Sequence, residues 1–328
     1  MKRIMILSQS KEKEPLIKGT IYKLNNFLTE KNYQTKVFIC NKKTNALLFL
    51  YYFLKFYYEY LRFSPDIIIT FHPISFIPCF FKKFGLIKKP VIYYWWDFYT
   101  EAMGRNWPIE IVAYLEFFSL KNATKTFTNS KFQKELAEKA GIDAKYFELG
   151  VEKYFNRNNV KKINLPGKNK LKILYYGDLT LYKGIDKLMN SVKKLPCDLI
   201  ILGEIKKEFL KYSEQSNVYF RGYKDHKEMP SYINSVNLVA IPATQDGTLK
   251  MFETLRMGKA IIGFKGRLGY FLEHKKNAYL VEDLGEGIRT LIKNPNMINE
   301  MEKNNQKVIV SDINDKFEEH IKELEKLT

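Results

Sequence analysis

The sequence predicts an α/β protein built from two doubly wound parallel sheets, and three observations predict it. Short, nearly continuous apolar runs, as suit parallel strands covered on both faces, alternate with longer segments of helical periodicity. In each half a strand, a glycine-containing loop and a helix follow one another, the βαβ unit whose connection carries the loop to the carboxyl edge of a sheet. At residue 171 the pattern restarts, and 328 residues are enough for two domains that each bury a core.

Taken in order, residues 2–7 form a first strand and 8–18 a polar loop. Gly19 opens a helix through about residue 31, with Ile21, Leu24, Phe27 and Leu28 on one side, and 35–40 is the second strand. Residues 46–63 are the most hydrophobic segment. A membrane span needs about 20 apolar residues, and Lys55, Glu59 and Arg62 interrupt this one. It reads as a helix packed on the sheet with a Tyr- and Phe-rich outer face. That face either only packs or also lies in a membrane interface, and patterning does not separate the two. Residues 65–73 form a buried strand ending at His72, 74–84 a helix, and 90–97 a strand ending at Asp97. His72 and Asp97 therefore stand at carboxyl ends of strands, the edge where open α/β sheets bind ligands.

An aromatic loop (98–107), a helix (109–122), a short strand (125–129), a helix capped by Ser130 and the segment 146–151 close the first half. The polar, basic stretch 153–170 reads as a linker. In the second half, strands are expected at 171–177, 197–204, 218–222 and 236–241, with a loop at 178–184 and helices at 185–195 and 227–235. Further helices are expected at 283–294, 299–305 and 313–327, the last an amphipathic tail.

The stretch 245–259 organises the second half. Asp246, Gly247 and Thr248 form a turn ending in an N-cap. Leu249, Phe252 and Leu255 then give an apolar side at helical spacing, and Gly258 sits where a left-handed C-cap is needed. A glycine loop feeding a helix N-terminus offers unpaired N–H groups and the positive end of the helix dipole, which suit a phosphate or diphosphate. Glu253, one turn further in, falls beside Leu249 and Met257, where its carboxylate can accept two hydrogen bonds from a ribose diol. The same pattern also describes an ordinary amphipathic helix with Glu253 at its rim.

Lys and Arg total 54 against 36 Asp and Glu, a net charge of +18 that points to anionic partners: nucleotides, nucleic acid or a membrane surface. The lysines are dispersed and no RNA- or DNA-binding motif is present, which argues against nucleic acid. Cys40, Cys79 and Cys197 form no CxxC pair and no His/Cys cluster at metal spacing, so they read as buried thiols in a reducing compartment. The apolar run near the N-terminus is too short for a signal peptide, and the protein reads as cytoplasmic.

Together these landmarks resemble the retaining glycosyltransferases of the two-domain GT-B type, specifically the large family four, also called glycosyl transferases group 1. Gly19 matches the family's Gly-rich first loop, and the strand from Pro65-Asp66 to His72 its Pro-Asp-x-x-x-x-His pattern. Asn129-Ser130 and Gly150-Val151 match the segment closing the first domain. Gly177 with Lys183-Gly184 matches the phosphate loop, Phe220 with Gly222 the base-contacting turn, and Gln245 to Glu253 the Glu-x7-Glu motif with its Gly258-Lys259 ending.

The resemblance implies two Rossmann-like domains facing each other across a cleft, with 1–160 on the acceptor side and 161–310 binding the nucleotide sugar. Residues 311–328 would pack back toward the first domain. It implies transfer of a sugar, with retention, from a nucleoside diphosphate sugar to an acceptor hydroxyl. The nucleotide sugar is a co-substrate, no other cofactor is implied, and the absence of an Asp-x-Asp motif implies no metal. The catalytic set carried over is Lys183 on the diphosphate, Glu253 on the ribose, Gln245 on the sugar and Asp97 on the acceptor side. Gly19, Gly177, Gly222, Asp246, Gly247, Thr248 and Leu249 would complete the donor site, and His72 and Trp96 the acceptor side. Charge and the 46–63 helix add an acceptor that is a glycan, lipid-linked or membrane-proximal, and peripheral contact with an anionic membrane.

Three departures bear on activity. Asp178 stands where the family has an arginine for the diphosphate, Trp96 where it often has a His, and Gln245 where it has the first glutamate. A catalytically inactive binding subunit and a sugar-phosphate epimerase of the same architecture are the alternatives.

Overall fold

The computed structural model describes the backbone of residues 1–9, 15–40, 46–103, 108–245 and 247–327. It divides into two compact units, Met1–Glu148 with Asn314–Thr328, and Leu149–Ile313.

In the first unit β1 (Arg3–Gln9), α1 (Pro15–Glu30), β2 (Gln34–Cys40), α2 (Ala46–Phe63), β3 (Ile67–Phe71) and α3 (Phe76–Lys83) come first. β4 (Val91–Trp95), α4 (Tyr99–Met103), α5 (Ile109–Asn122), β5 (Lys125–Thr128), α6 (Lys131–Lys139) and β6 (Ala144–Tyr146) follow. The second unit holds β7 (Leu171–Tyr176), α7 (Ile185–Ser191), β8 (Cys197–Leu202), β9 (Val218–Phe220), α8 (Met229–Ser235) and β10 (Leu238–Ile241). After them come α9 (Leu249–Arg256), β11 (Ala260–Phe264), β12 (Ala278–Val281), α10 (Leu284–Lys293) and α11 (Pro295–Asn305). All but the first residue of α12 (Ile313–Glu325) belongs to the first unit.

Each unit is a six-stranded parallel sheet, ordered β2-β1-β3-β4-β5-β6 in the first and β12-β11-β10-β7-β8-β9 in the second. Strand order reverses between β1 and β3 in one and between β7 and β10 in the other, so the ligand crevice of each sheet lies at the carboxyl ends of those pairs.

Alternation along each strand feeds two helical layers. In the first unit Met5, Leu7, Ile68 and Val91 pack with Phe56, Phe81 and Phe118 of α2, α3 and α5. In the same unit His320 of α12 sits among Tyr94, Phe127 and Phe147, with ring centroids 5.5, 6.0 and 4.1 Å away. Burial, helped by Lys316 and Lys145, lowers this imidazole to about 3, so it is a neutral core residue near pH 7. In the second unit Leu171, Ile173 and Tyr175 of β7 face α7 and α10, whereas Leu174 and Tyr176 face α8 and α9. Each such side chain taken fully out of water contributes about 1.5–3 kcal/mol.

Several boundaries differ from the sequence reading. The helix expected to open at Gly19 begins at Pro15, whose fixed φ suits a first turn. The expected 74–84 helix divides into a 3₁₀ turn over Pro73–Ser75 and α3, and Pro295 starts α11 ahead of residue 299. β6 and β12 are short strands that the pattern did not announce. The stretch read as a linker, 153–170, is fastened to the second unit. Phe155 and Leu165 are buried there, and Arg256 donates to the carbonyls of Phe155 and Val151, which places the division after Glu148. Among the described residues no helix is long and apolar enough to cross a membrane.

Candidate functional site

The carboxyl edge of the second sheet gathers most of the residues singled out in that half. Gly177 leaves β7 at φ 113, and Thr180 caps the 3₁₀ turn Leu181–Lys183 by accepting from the Lys183 amide. Gly184 closes the turn at φ 72. A Cβ there would lie 2.3 Å from the Pro242 carbonyl oxygen, so only glycine lets this turn rest against the exit of β10. That approach brings Lys183 to the 242–247 loop, where its Nζ donates to Gln245 Oε1 at 2.6 Å. The Gln245 amide nitrogen in turn donates to the Tyr182 hydroxyl.

Gly247 takes φ 63 and delivers the chain to α9. Thr248 occupies the N-cap position, but its hydroxyl makes no capping bond and is buried with no partner among the described residues. The first amides of α9 have no intrahelical acceptors, as at any helix start. Leu249 is the first residue of the helix, and Asp246 lies outside the described residues.

Glu253 is 2% exposed and sits at the middle of a hydrogen-bonded chain. His226 Nε2 lies 2.6 Å from its Oε1, and the Tyr176 hydroxyl donates to Oε2 at 2.9 Å. On the other side of the imidazole the Tyr154 hydroxyl lies 2.6 Å from Nδ1. Tyr154 donating to Nδ1 fixes the tautomer that carries its hydrogen on Nε2 and points it at Glu253. His226 follows the turn that Gly222 makes at φ 68 after β9, in a short helix capped by Asp225 and Glu228. Lys250 lies on the same helix as Glu253. Its ammonium stands 4.0 Å from the Tyr175 ring centroid and 5.2 Å from that of Tyr176, over the bare face of Gly177.

The first sheet's edge is built differently. His72 leaves β3 at φ 68 and ψ 175, a left-handed conformation costly for a side-chain-bearing residue. Its Nδ1 lies 3.2 Å from Ser8 Oγ and accepts from the Gln9 amide at 3.5 Å, both at the end of β1. Trp96 packs on Phe71 and Tyr94 at 4.9 and 5.4 Å, and Asp97 is exposed. Behind this loop Glu116 of α5 is buried and accepts from Trp95 Nε1 at 2.6 Å and from the amides of Tyr99 and Thr100 at 2.9 and 3.1 Å. The Thr100 hydroxyl is its fourth donor, at 2.5 Å. Burial raises its pKa and these hydrogen bonds oppose the rise.

Sequence reading named Lys183, Gln245 and Glu253 but not Lys250, Tyr176, Tyr154, His226 or Glu116. A charged residue inside a helix as apolar as 109–122 is a signal for Glu116. The other four come from positions far apart in the chain, and no spacing joins them. Gly19, the remaining expected donor-side residue, lies within α1 of the first unit.

Residues 156–308 match the family model of the glycosyl transferases group 1. An uncharacterised 41.2 kDa protein of the cps region of Klebsiella pneumoniae is 25% identical over 173 residues, 50% of this chain and 48% of that protein. The chain thus spans about half the length of the curated relative it matches. Among solved structures, sucrose-phosphate synthase of Thermosynechococcus elongatus superposes with a TM-score of 0.80 at 14% identity, over 100% of this chain and 99% of that one. Anabaena HepE in complex with UDP-glucose gives 0.73 at 15% identity over the full length of both. Likeness at this identity shows the fold, the GT-B architecture of two Rossmann-like units.

Proposed function

We propose, on the premise that residues 156–308 carry a group 1 glycosyltransferase domain, that the chain moves a sugar from a nucleoside diphosphate sugar to an acceptor hydroxyl with retention. One observation carries the reading. At the switch point of the second sheet, Lys183 is bonded to Gln245 just ahead of the start of α9, and the buried Glu253 lies on that same helix. A cation and a helix start suit a diphosphate, and a positioned carboxylate suits a ribose.

In this reading Lys183 and the amides around Gly247, Thr248 and Leu249 hold the diphosphate, and Gln245 or Asp246 holds the sugar. Gly177 and Gly222 let the chain approach phosphate and base. Glu253 has about four lone-pair sites, of which His226 and Tyr176 take two, leaving room for the ribose hydroxyls. The bond from the sugar's anomeric carbon to the diphosphate breaks, and the bond to the acceptor oxygen forms on the same face. The acceptor's proton passes to the departing phosphate oxygen, so no protein base is required. Lys183 stabilises the charge that develops on the leaving group. His72, Trp96 and Asp97, at the edge of the first sheet, are the residues assigned to the acceptor.

The acceptor is a lipid-linked or membrane-proximal glycan, with the protein peripheral on an anionic cytoplasmic surface. Leu47, Leu50, Leu54, Tyr58 and Leu61 of α2 recur every three or four residues and are exposed, Leu47 at 80%. Tyr114 and Phe117 of α5 are exposed as well. Lys55, Lys83 and Lys121 stand over Tyr51, Phe118 and Phe117, the mixture of apolar rings and cations that interfacial helices use. Flotation with anionic liposomes is expected to carry the protein in a salt-sensitive manner, and failure to float removes this part of the reading.

The donor site is tested by calorimetry with UDP, GDP, ADP and their glucose conjugates. Wild type is expected to bind one base selectively and Glu253→Ala to lose it by about 100-fold, as for a residue making two bonds to the ligand. Unchanged binding in the variant sinks the assignment of Glu253, and no binding by wild type favours an inactive scaffold.

A further inference from the structure

The family's arginine for the diphosphate is replaced by Asp178, yet the structure brings a second cation to the same turn from elsewhere. Lys250 projects from the first turn of α9 across the carboxyl end of β7, where its Nζ lies 3.4 Å from the position a Cβ on Gly177 would occupy. Glycine at 177, held at φ 113, leaves that space to the ammonium. No carboxylate or carbonyl among the described residues hydrogen-bonds the ammonium, which stands over the rings of Tyr175 and Tyr176. Such a cation is desolvated and makes no ion pair among the described residues, while the Thr248 hydroxyl, two residues earlier at the N-cap, is also buried with no hydrogen-bond partner among them. Two hydrogen-bond donors with no acceptor among the described residues thus lie in the first turn and N-cap of one helix, and an anion satisfies both.

We infer that Lys250 is the second cation of the diphosphate site, doing from α9 what an arginine at position 178 does in the family. The inference rests on the donor-site reading above and adds to it a residue that the matched motifs do not name. Lys183 and Lys250 then hold the diphosphate between the 181–184 turn and α9, and Asp178, which is exposed, attracts Lys250 rather than opposing the ligand alone.

Its surroundings give the inference a signature. Burial lowers the Lys250 ammonium to about 7, and Lys183 adds to the depression, while Glu253 and Asp178 oppose it. The phenols of Tyr175 and Tyr176 are pushed up by burial and stay neutral. At pH 8 a group with pKa near 7 is about one-tenth protonated, so an arriving diphosphate that needs the ammonium must draw a proton from solution. A nucleotide sugar is a diphosphate diester with no phosphate group titrating near neutrality, so the proton can only go to the protein.

The experiment is calorimetry of UDP-, GDP- and ADP-glucose at pH 8 in two buffers of different ionisation enthalpy, with wild type, Lys250→Met and Lys250→Arg. Wild type is expected to take up close to one proton on binding its preferred conjugate. Lys250→Met is expected to bind that conjugate about 10- to 100-fold more weakly with no uptake. Lys250→Arg should bind within about threefold of wild type and take up none, because its charge is permanent. Equal affinity and equal proton uptake in wild type and Lys250→Met overturn the role of Lys250 and leave the donor site standing. Weaker binding in Lys250→Met with proton uptake retained also overturns it, since the loss is then one of packing. Binding of no conjugate by wild type overturns the donor-site reading and this inference with it.

Discussion

The two units share a fold, and each places a buried carboxylate near the carboxyl edge of its sheet, but Glu116 and Glu253 are satisfied differently. Glu116 accepts four hydrogen bonds, three of them from Tyr99 and Thr100 in the segment that follows β4. Glu253 accepts two, both from side chains, Tyr176 and His226. A carboxylate with every lone-pair site filled by its own chain organises a loop and has nothing left for a ligand. A carboxylate half filled, and aimed by an imidazole that is itself aimed by a phenol, is positioned for something else. Burial alone therefore does not identify a site, whereas the balance between donors supplied and sites available does.

That difference predicts opposite phenotypes, the larger first. Glu253→Ala should lose about 100-fold in nucleotide-sugar binding at a smaller cost in stability, since of the two donors it frees only the Tyr176 hydroxyl is buried, and that hydroxyl also reaches the Lys250 carbonyl at 3.3 Å. Glu116→Ala should do the reverse. It leaves the Trp95 indole and two backbone amides without an acceptor in a buried place, a loss of about 3 kcal/mol in stability with donor affinity retained. Denaturant unfolding followed by tryptophan fluorescence reads it directly, since Trp95 itself and Trp96 beside it lie in the first unit. Donor binding that collapses in Glu116→Ala while the fold persists breaks the contrast.

The fold was legible because its signal is local. Runs such as 2–7 and 171–176 are nearly continuous in apolar residues, as suits the strands of a parallel sheet covered on both sides. The strands missed are the short ones, 144–146 and 278–281, which carry too few residues for a pattern. The 153–170 stretch misled because its charge hides two anchors, Phe155 and Leu165, that bind it to the second core. At the site, Lys183, Gln245 and Glu253 were legible by resemblance to a spaced motif. Lys250 was hidden in that same motif, since its significance depends on Gly177, which is 73 positions away in sequence and in contact with it only in the folded chain. His226 and Tyr154 were invisible for the same reason: a hydrogen-bonded chain through positions 154, 226, 253 and 176 has no sequence period.

The finest test of the contrast concerns that chain, because nothing like it supports Glu116. Tyr154→Phe removes one hydroxyl and leaves the ring, which packs on Phe155 at 5.3 Å. His226 is partly exposed, so water replaces the lost donor, and the stability cost should stay below about 1 kcal/mol. What changes is the fixed tautomer. Without Tyr154 donating to Nδ1, the imidazole is free to carry its hydrogen there and present a bare Nε2 to Glu253, which repels the carboxylate instead of holding it. Donor affinity should therefore fall about threefold at unchanged melting temperature. The ¹⁵N shifts of His226 should move from a single Nε2–H form toward a mixture. A wild-type affinity with mixed tautomers would mean that Tyr176 alone aims Glu253, and that the two carboxylates differ only in how many donors each receives.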